Sequence, residues 1–153
     1  MTGAQRVAIV FTAAMLGAVW VRADLTDAKS DPNLEKRTHK ALDNADRMLD
    51  AAMKAYKGGD WQKTWTAIEE VRDSVQLAYV SLKETGKDPR KKPRHFKAAE
   101  IRTRNLLRNL EDFRLRMGLD ERESIEPIRK YIQQVHDDLL EGIMGTGQLK
   151  SKS

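Results

Sequence analysis

The sequence predicts an all-α fold: an antiparallel up-down-up-down four-helix bundle of long helices, preceded by an N-terminal signal peptide helix. Three observations lead there. Apolar residues recur at spacings of three and four along four stretches of the chain, which at about 100° per residue gathers each set on one face of a helix. Glycines and capping residues bound these stretches. Finally, the stretches hold about twenty to twenty-six residues, so they form rods of roughly 30 to 39 Å that can lie side by side.

The first twenty-three residues have a different composition from the rest. Arg6 precedes an apolar run from Val7 to Val21, and Val21-Arg22-Ala23 places small side chains at the third and first positions before a cut. Residues 1–23 are therefore expected to be a signal peptide cleaved after Ala23. The run falls short of the roughly twenty apolar residues of a spanning helix, which leaves N-terminal membrane anchoring as the alternative. The chain has no cysteine, so thiol catalysis, thiolate metal ligands and a disulfide framework are excluded, and export without disulfides fits a bacterial periplasm. There is no Asn-x-Ser/Thr acceptor either.

Residues 24–145 are expected to form one domain, large enough to bury a core without covalent staples. Its first helix is predicted over 32–57, with Leu34, Ala41, Leu42, Ala45, Met48, Leu49, Ala52, Met53 and Tyr56 as the inner stripe. Asp31 is its expected cap, Pro32 its first turn, and Gly58-Gly59 its exit. The second helix, 61–85, is capped by Asp60 and carries Trp61, Trp65, Ile68, Val71, Val75, Ala78, Tyr79 and Leu82. The short gap between these two makes a hairpin.

The third helix, 93–117, follows Phe96, Ala99, Thr103, Leu106, Leu107, Leu110, Phe113 and Met117, with Gly118 closing it. The fourth, 121–144, uses Ile125, Ile128, Ile132, Val135, Leu139 and Ile143. Pro127 lies inside it, so a short first turn from Asp120 followed by a kink or restart capped by Ser124 is expected. Residues 146–153 are small, polar and basic and are expected to be a disordered tail. The spacing of Tyr56, Gly59 and Trp61 is faintly like that of a tetratricopeptide repeat, but its period never recurs. Leu25-Thr26-Asp27-Ala28-Lys29 lacks the glutamine of the Leu-Thr-x-x-Gln signature of metal-stress helical chaperones, and it lies outside the predicted helices.

Motifs for chemistry are missing. None of His39, His95 and His136 has a glutamate three residues before it, as the di-metal bundles require. No phosphate loop, serine elbow or His-Glu-x-x-His run occurs. The expectation is a non-enzymatic protein with no cofactor. His136 lies beside the apolar stripe of its helix, and is either a weak metal or pH-sensing candidate or a partly buried histidine donating to a neighbouring helix. Tyr56, Trp61 and Trp65 form an expected aromatic cluster, either a ligand platform or the plug of a bundle end.

The uneven charge is the most distinctive feature. Residues 87–116 carry eleven cations against four carboxylates, a net of +7, while residues 119–144 sum to −4. Lys87, Arg90, Lys91, Lys92, Arg94, Lys97, Arg104 and Arg108 are the candidate anion- or partner-binding residues, forming an outward ridge on the third helix and the connector before it. Three readings stand for that ridge: a solvated face paired with the acidic fourth helix, a surface for anionic headgroups or envelope polymers, and a phosphate-binding face for nucleic acid, which export disfavours. Leu77, Val80, Ile101 and Leu115 fall outside the stripes and offer a second seam for a homodimer or a protein partner. The functional expectation is an exported interaction or adaptor module in the envelope, with a small-ligand or metal sensor as the alternative.

Overall fold

The computed structural model describes residues 19–145, with side chains from Leu25 onward. Five α-helices account for nearly all of it: α1 (Val19–Ser30), α2 (Leu34–Lys57), α3 (Trp61–Glu84), α4 (Arg94–Leu115) and α5 (Leu119–Met144). The described chain is all-helical, and the helices pack against each other. Most of the predicted signal peptide (1–18) and the predicted tail (146–153) lie outside the described residues.

The predicted stripes become the core. Leu49, Ile68, Val71, Val75, Leu82, Leu106, Leu110, Ile125 and Ile132 are fully enclosed, each burial contributing about 1.5–3 kcal/mol. The α2–α3 hairpin has the most extensive contact in the molecule. Many of its buried positions are small, Ala41, Ala45 and Ala52 on α2 and Ala67, Ser74, Ala78 and Ser81 on α3, and small side chains let packed helices approach closely. Gly59, at φ +76°, makes the turn between them, a conformation that side chains with a Cβ disfavour. Asp60 caps α3 as expected, its carboxylate accepting the Lys63 N–H at 3.0 Å.

Several expectations need correction. The cap of α2 is Asn33, whose side chain accepts from the Lys36 N–H at 2.9 Å; Asp31 sits two residues earlier, accepting from the Asn33 N–H and pairing with Lys40. Pro32 thus precedes the helix rather than opening it. The segment placed outside the helices by its sequence, Leu25 to Lys29, belongs to α1, which runs without a break through positions 23 and 24. Leu25 and Ala28 are buried, where α1 packs on α2 and α3. Two apolar residues three apart are too few to register as a periodic stripe.

The expected restart at Ser124 is absent as well. α5 is one helix with Pro127 inside it, and Gly118 is its N-cap. The Ser124 hydroxyl bonds back to the Asp120 carbonyl rather than capping a new helix. Proline at 127 withholds the N–H that would meet the Glu123 carbonyl, but Glu123 and Pro127 are both exposed, so water can serve that carbonyl. The Glu121 carboxylate accepts the Gly118 N–H at 2.9 Å, and a Cβ at 118 would require that flexible side chain to shift.

The lateral neighbours differ from a ring in consecutive order. α4 lies beside α2 and α5 beside α3, whereas the consecutive pair α3 and α4 touch only slightly. His39 faces His95, Asp46 pairs with Arg102, and Tyr56 meets Phe113, so α2 and α4 run in the same direction. The connector 85–93 is long enough to carry the chain across the end of the molecule, a path that the two-residue turns of simple bundles do not allow.

Inside the α2–α3 contact, Asn44 is fully buried and donates to Glu70 and Ser74, both at 2.9 Å. The buried Ser81 hydroxyl, in contrast, has no partner among the described residues. Asn44→Ala is expected to cost about 1–3 kcal/mol in urea unfolding, the range for leaving buried partners unsatisfied, and Ser81→Ala to be neutral or stabilising by about 1 kcal/mol. Equal losses at the two positions would contradict this assignment of their roles.

Candidate functional site

The predicted basic residues separate into two groups. Lys87 is neutralised by the Glu35 carboxylate of α2, and Arg90 reaches Asp88 at 3.8 Å. Arg104 approaches Glu100, four residues before it, at 3.5 Å. Lys91, Lys92, Arg94, Lys97 and Arg108 are exposed, and among the described residues none of them has an ion pair. Arg108 has only a 3.4 Å bond to Asn105.

Lys92, Arg94 and Lys97 line one cleft, with Lys91 next to them in the chain, because the connector delivers the chain directly into the first turn of α4. Pro93 occupies the N-cap position and provides no side-chain bond, and the first turn contains no acidic residue. A helix N-terminus carries a partial positive charge that acidic side chains normally offset. Here lysine and arginine are added to it. The result is a positive cleft of about 410 Å³ lined by Lys87, Lys92, Arg94, His95 and Lys97 together with Glu35.

Glu35 is the one carboxylate in this cleft. Its side chain faces both Lys87 and the His95 ring, whose Nε2 lies 3.1 Å away. The Lys87 ammonium holds the carboxyl below its ordinary value of 4.5, against the opposing effect of burial. His95 in turn meets His39 edge-on at 5.9 Å. These contacts fasten the start of α4 to the start of α2.

Among the described residues, the arginine ion pairs of α4 run to α2 or stay within the helix. Arg102, which the sequence reading did not single out, bridges Asp43 and Asp46 of α2, both at 2.7 Å. Arg114 pairs with Glu111 within α4, and Arg129 with Glu126 within α5. Between α4 and α5, the His136 ring makes a hydrogen bond to the buried Glu100, with Nε2 at 3.0 Å.

His136 Nδ1 is also 3.0 Å from Asp137, and the imidazole lowers the pKa of that carboxyl. Both ring nitrogens face carboxylates. Among the described residues, no three His, Cys, Asp or Glu side chains come together in a way that could hold a metal ion. Burial of Glu100 was not legible in the sequence, since an acid among the cations of α4 carries no periodic signal.

The aromatic cluster is divided. Trp61 and Trp65 stack at a tilt, 6.2 Å between centroids, and both pack on the core half-buried. Tyr56 instead meets Phe113 edge-on at 5.6 Å. Its hydroxyl donates to Glu121 at 2.7 Å and accepts the Gly118 N–H at 3.1 Å, and Glu121 raises the phenol's pKa. Tyr56 therefore joins the end of α2 to the α4–α5 turn. Of the off-stripe aliphatics, Val80, Ile101 and Leu115 are exposed, whereas Leu77 packs against the core.

No family model matches the chain, and no curated protein or solved structure matches it. Among the described residues, no helix is long and apolar enough to cross a membrane.

The position of Glu35 has a pH consequence. A carboxyl whose folded pKa is depressed stabilises the fold fully above its unfolded value, and that contribution disappears as pH falls through the folded value. Glu35→Gln lacks it at every pH. The melting temperature of the native chain should therefore exceed that of Glu35→Gln near neutrality, with the difference shrinking below about pH 4.5. A difference that grows on acidification would contradict the Lys87–Glu35 assignment.

Proposed function

We propose that this chain is an exported, non-enzymatic interaction module that binds anionic groups of the cell envelope through the cleft where the connector enters α4. In this reading, residues 1–23 direct export, cleavage follows Ala23, and α2 to α5 form a four-helix bundle that carries the binding surface. Leu25 and Ala28, which seal α1 against α2 and α3, lie beyond the proposed cut and stay with the processed protein.

The observation that carries this reading is the unpaired group Lys91, Lys92, Arg94 and Lys97 at an uncapped helix N-terminus. Cations there oppose the helix dipole by about 0.3–1 kcal/mol each. A sequence selected for stability alone puts acids at that position, as α5 does with Asp120 and Glu121. Local violation of such a rule without a structural return is the signature of a functional surface. Near an anionic membrane each such cation gains on the order of 1 kcal/mol. Anionic headgroups or envelope polymers are favoured over nucleic acid, which an exported protein seldom meets.

Vesicle co-sedimentation tests this. The full chain should bind vesicles containing phosphatidylglycerol more tightly than neutral ones, with binding lost at high salt. Replacing Lys91, Lys92, Arg94 and Lys97 together by glutamine should weaken it at least about tenfold, given on the order of 1 kcal/mol per cation. Glu35→Gln, which frees Lys87, should strengthen it. Unchanged vesicle binding in the fourfold variant, or duplex DNA outcompeting the vesicles, would refute the proposal.

A further inference from the structure

At the opposite end of the α2–α4 contact, a second cleft of about 570 Å³ opens between the last turn of α2 and the last turn of α4. Its volume falls within the roughly 300–1,000 Å³ of small-molecule sites. Met53, Tyr56 and Phe113 form its apolar wall, and Lys54, Lys57 and Arg116 stand at its rim with a single carboxylate, Asp50. Phe113 is buried and Tyr56 and Met53 are half-buried, whereas all three cations are exposed. None of those cations has an ion pair among the described residues.

We infer that this cleft binds a free long-chain carboxylate, with the alkyl chain against Met53, Tyr56 and Phe113 and the carboxylate among Lys54, Lys57 and Arg116. The excess of three cations over one acid sets the sign of the head group. The wall sets its tail. The Tyr56 hydroxyl is committed to Glu121 and Gly118, so the ring offers the cleft carbon rather than a polar atom. Met53 supplies an unbranched, polarizable side chain that can adapt to an alkyl chain. The site is independent of the connector cleft: Glu35 and Tyr56 are twenty-one positions apart on one helix, about 31 Å at the standard rise.

These cations also complement the C-terminal ends of α2 and α4, a role that needs no ligand. A titration with monomeric dodecanoate tells whether they hold a carboxylate as well. In the full chain carrying ¹³C-methyl methionine, dodecanoate should saturably shift the Met53 methyl resonance, whereas dodecyltrimethylammonium should not. The Lys54→Glu/Lys57→Glu/Arg116→Glu variant should bind dodecanoate at least tenfold more weakly while keeping its helical circular dichroism. Lys57→Glu and Arg116→Glu, made singly at exposed positions, should each weaken binding measurably if the triple variant fails to fold. The inference is overturned if dodecanoate does not shift Met53, if the cationic detergent shifts it equally, or if charge reversal leaves the affinity unchanged.

Discussion

The parallel placement of α2 beside α4 is the constraint on which the rest of the molecule depends. Two hairpins, α2–α3 and α4–α5, are laid together so that helices of the same direction meet. Three sets of contacts set the register along this seam. Glu35 holds Lys87 and His95 at one end, Asp43 and Asp46 hold Arg102 in the middle, and Tyr56 meets Phe113 at the other. Each exposed ion pair alone is worth roughly 0–1 kcal/mol, so the apolar burial beneath supplies the stability and the charges select the register.

That arrangement makes the two ends of the seam chemically unlike. Both N-termini lie at one end, where the dipoles are positive and the chain adds Lys91, Lys92, Arg94 and Lys97. Both C-termini lie at the other, where Lys54, Lys57 and Arg116 offset negative dipoles around an apolar wall. The same kind of side chain therefore builds unfavourable potential at one end and relieves it at the other. Only the first is a cost without a structural return, which is why the connector cleft carries the functional proposal. α3 and α5 contribute to stability on the opposite side: small residues and the Asn44–Glu70–Ser74 bonds bring α3 close to α2, and Ile125, Ile128 and Ile132 close the core from α5.

The helices were legible because their apolar periods are long and regular. Ile68, Val71, Val75, Leu106, Leu110, Ile125 and Ile132 all sit where their spacing puts them. The buried polar positions were not legible: Thr38, Asn44, Thr64, Ser74 and Glu100 look like surface residues in a one-dimensional pattern and become interior through partners 26 to 40 positions away or through a turn of their own helix. Lateral order was hidden for the same reason. Stripes say which face is inward, whereas the neighbour across the core is chosen by pairs such as Arg102 with Asp43, which no spacing rule reveals. Of the candidate site, the charge excess was plain in the sequence, but the division into neutralised Lys87 and free Lys91, Lys92, Arg94 and Lys97 required the position of Glu35.

A cysteine-free chain allows the seam to be measured directly by paired spin labels. With Lys57→Cys on α2 as the reference, a label at Arg116→Cys should lie close by. A label at Lys97→Cys, nineteen residues earlier and so about 29 Å back along the axis of α4, should lie much farther away. The reverse order, with the Lys97 label near and the Arg116 label distant, would mean that α2 and α4 run in opposite directions, and both clefts described above would cease to exist as single sites.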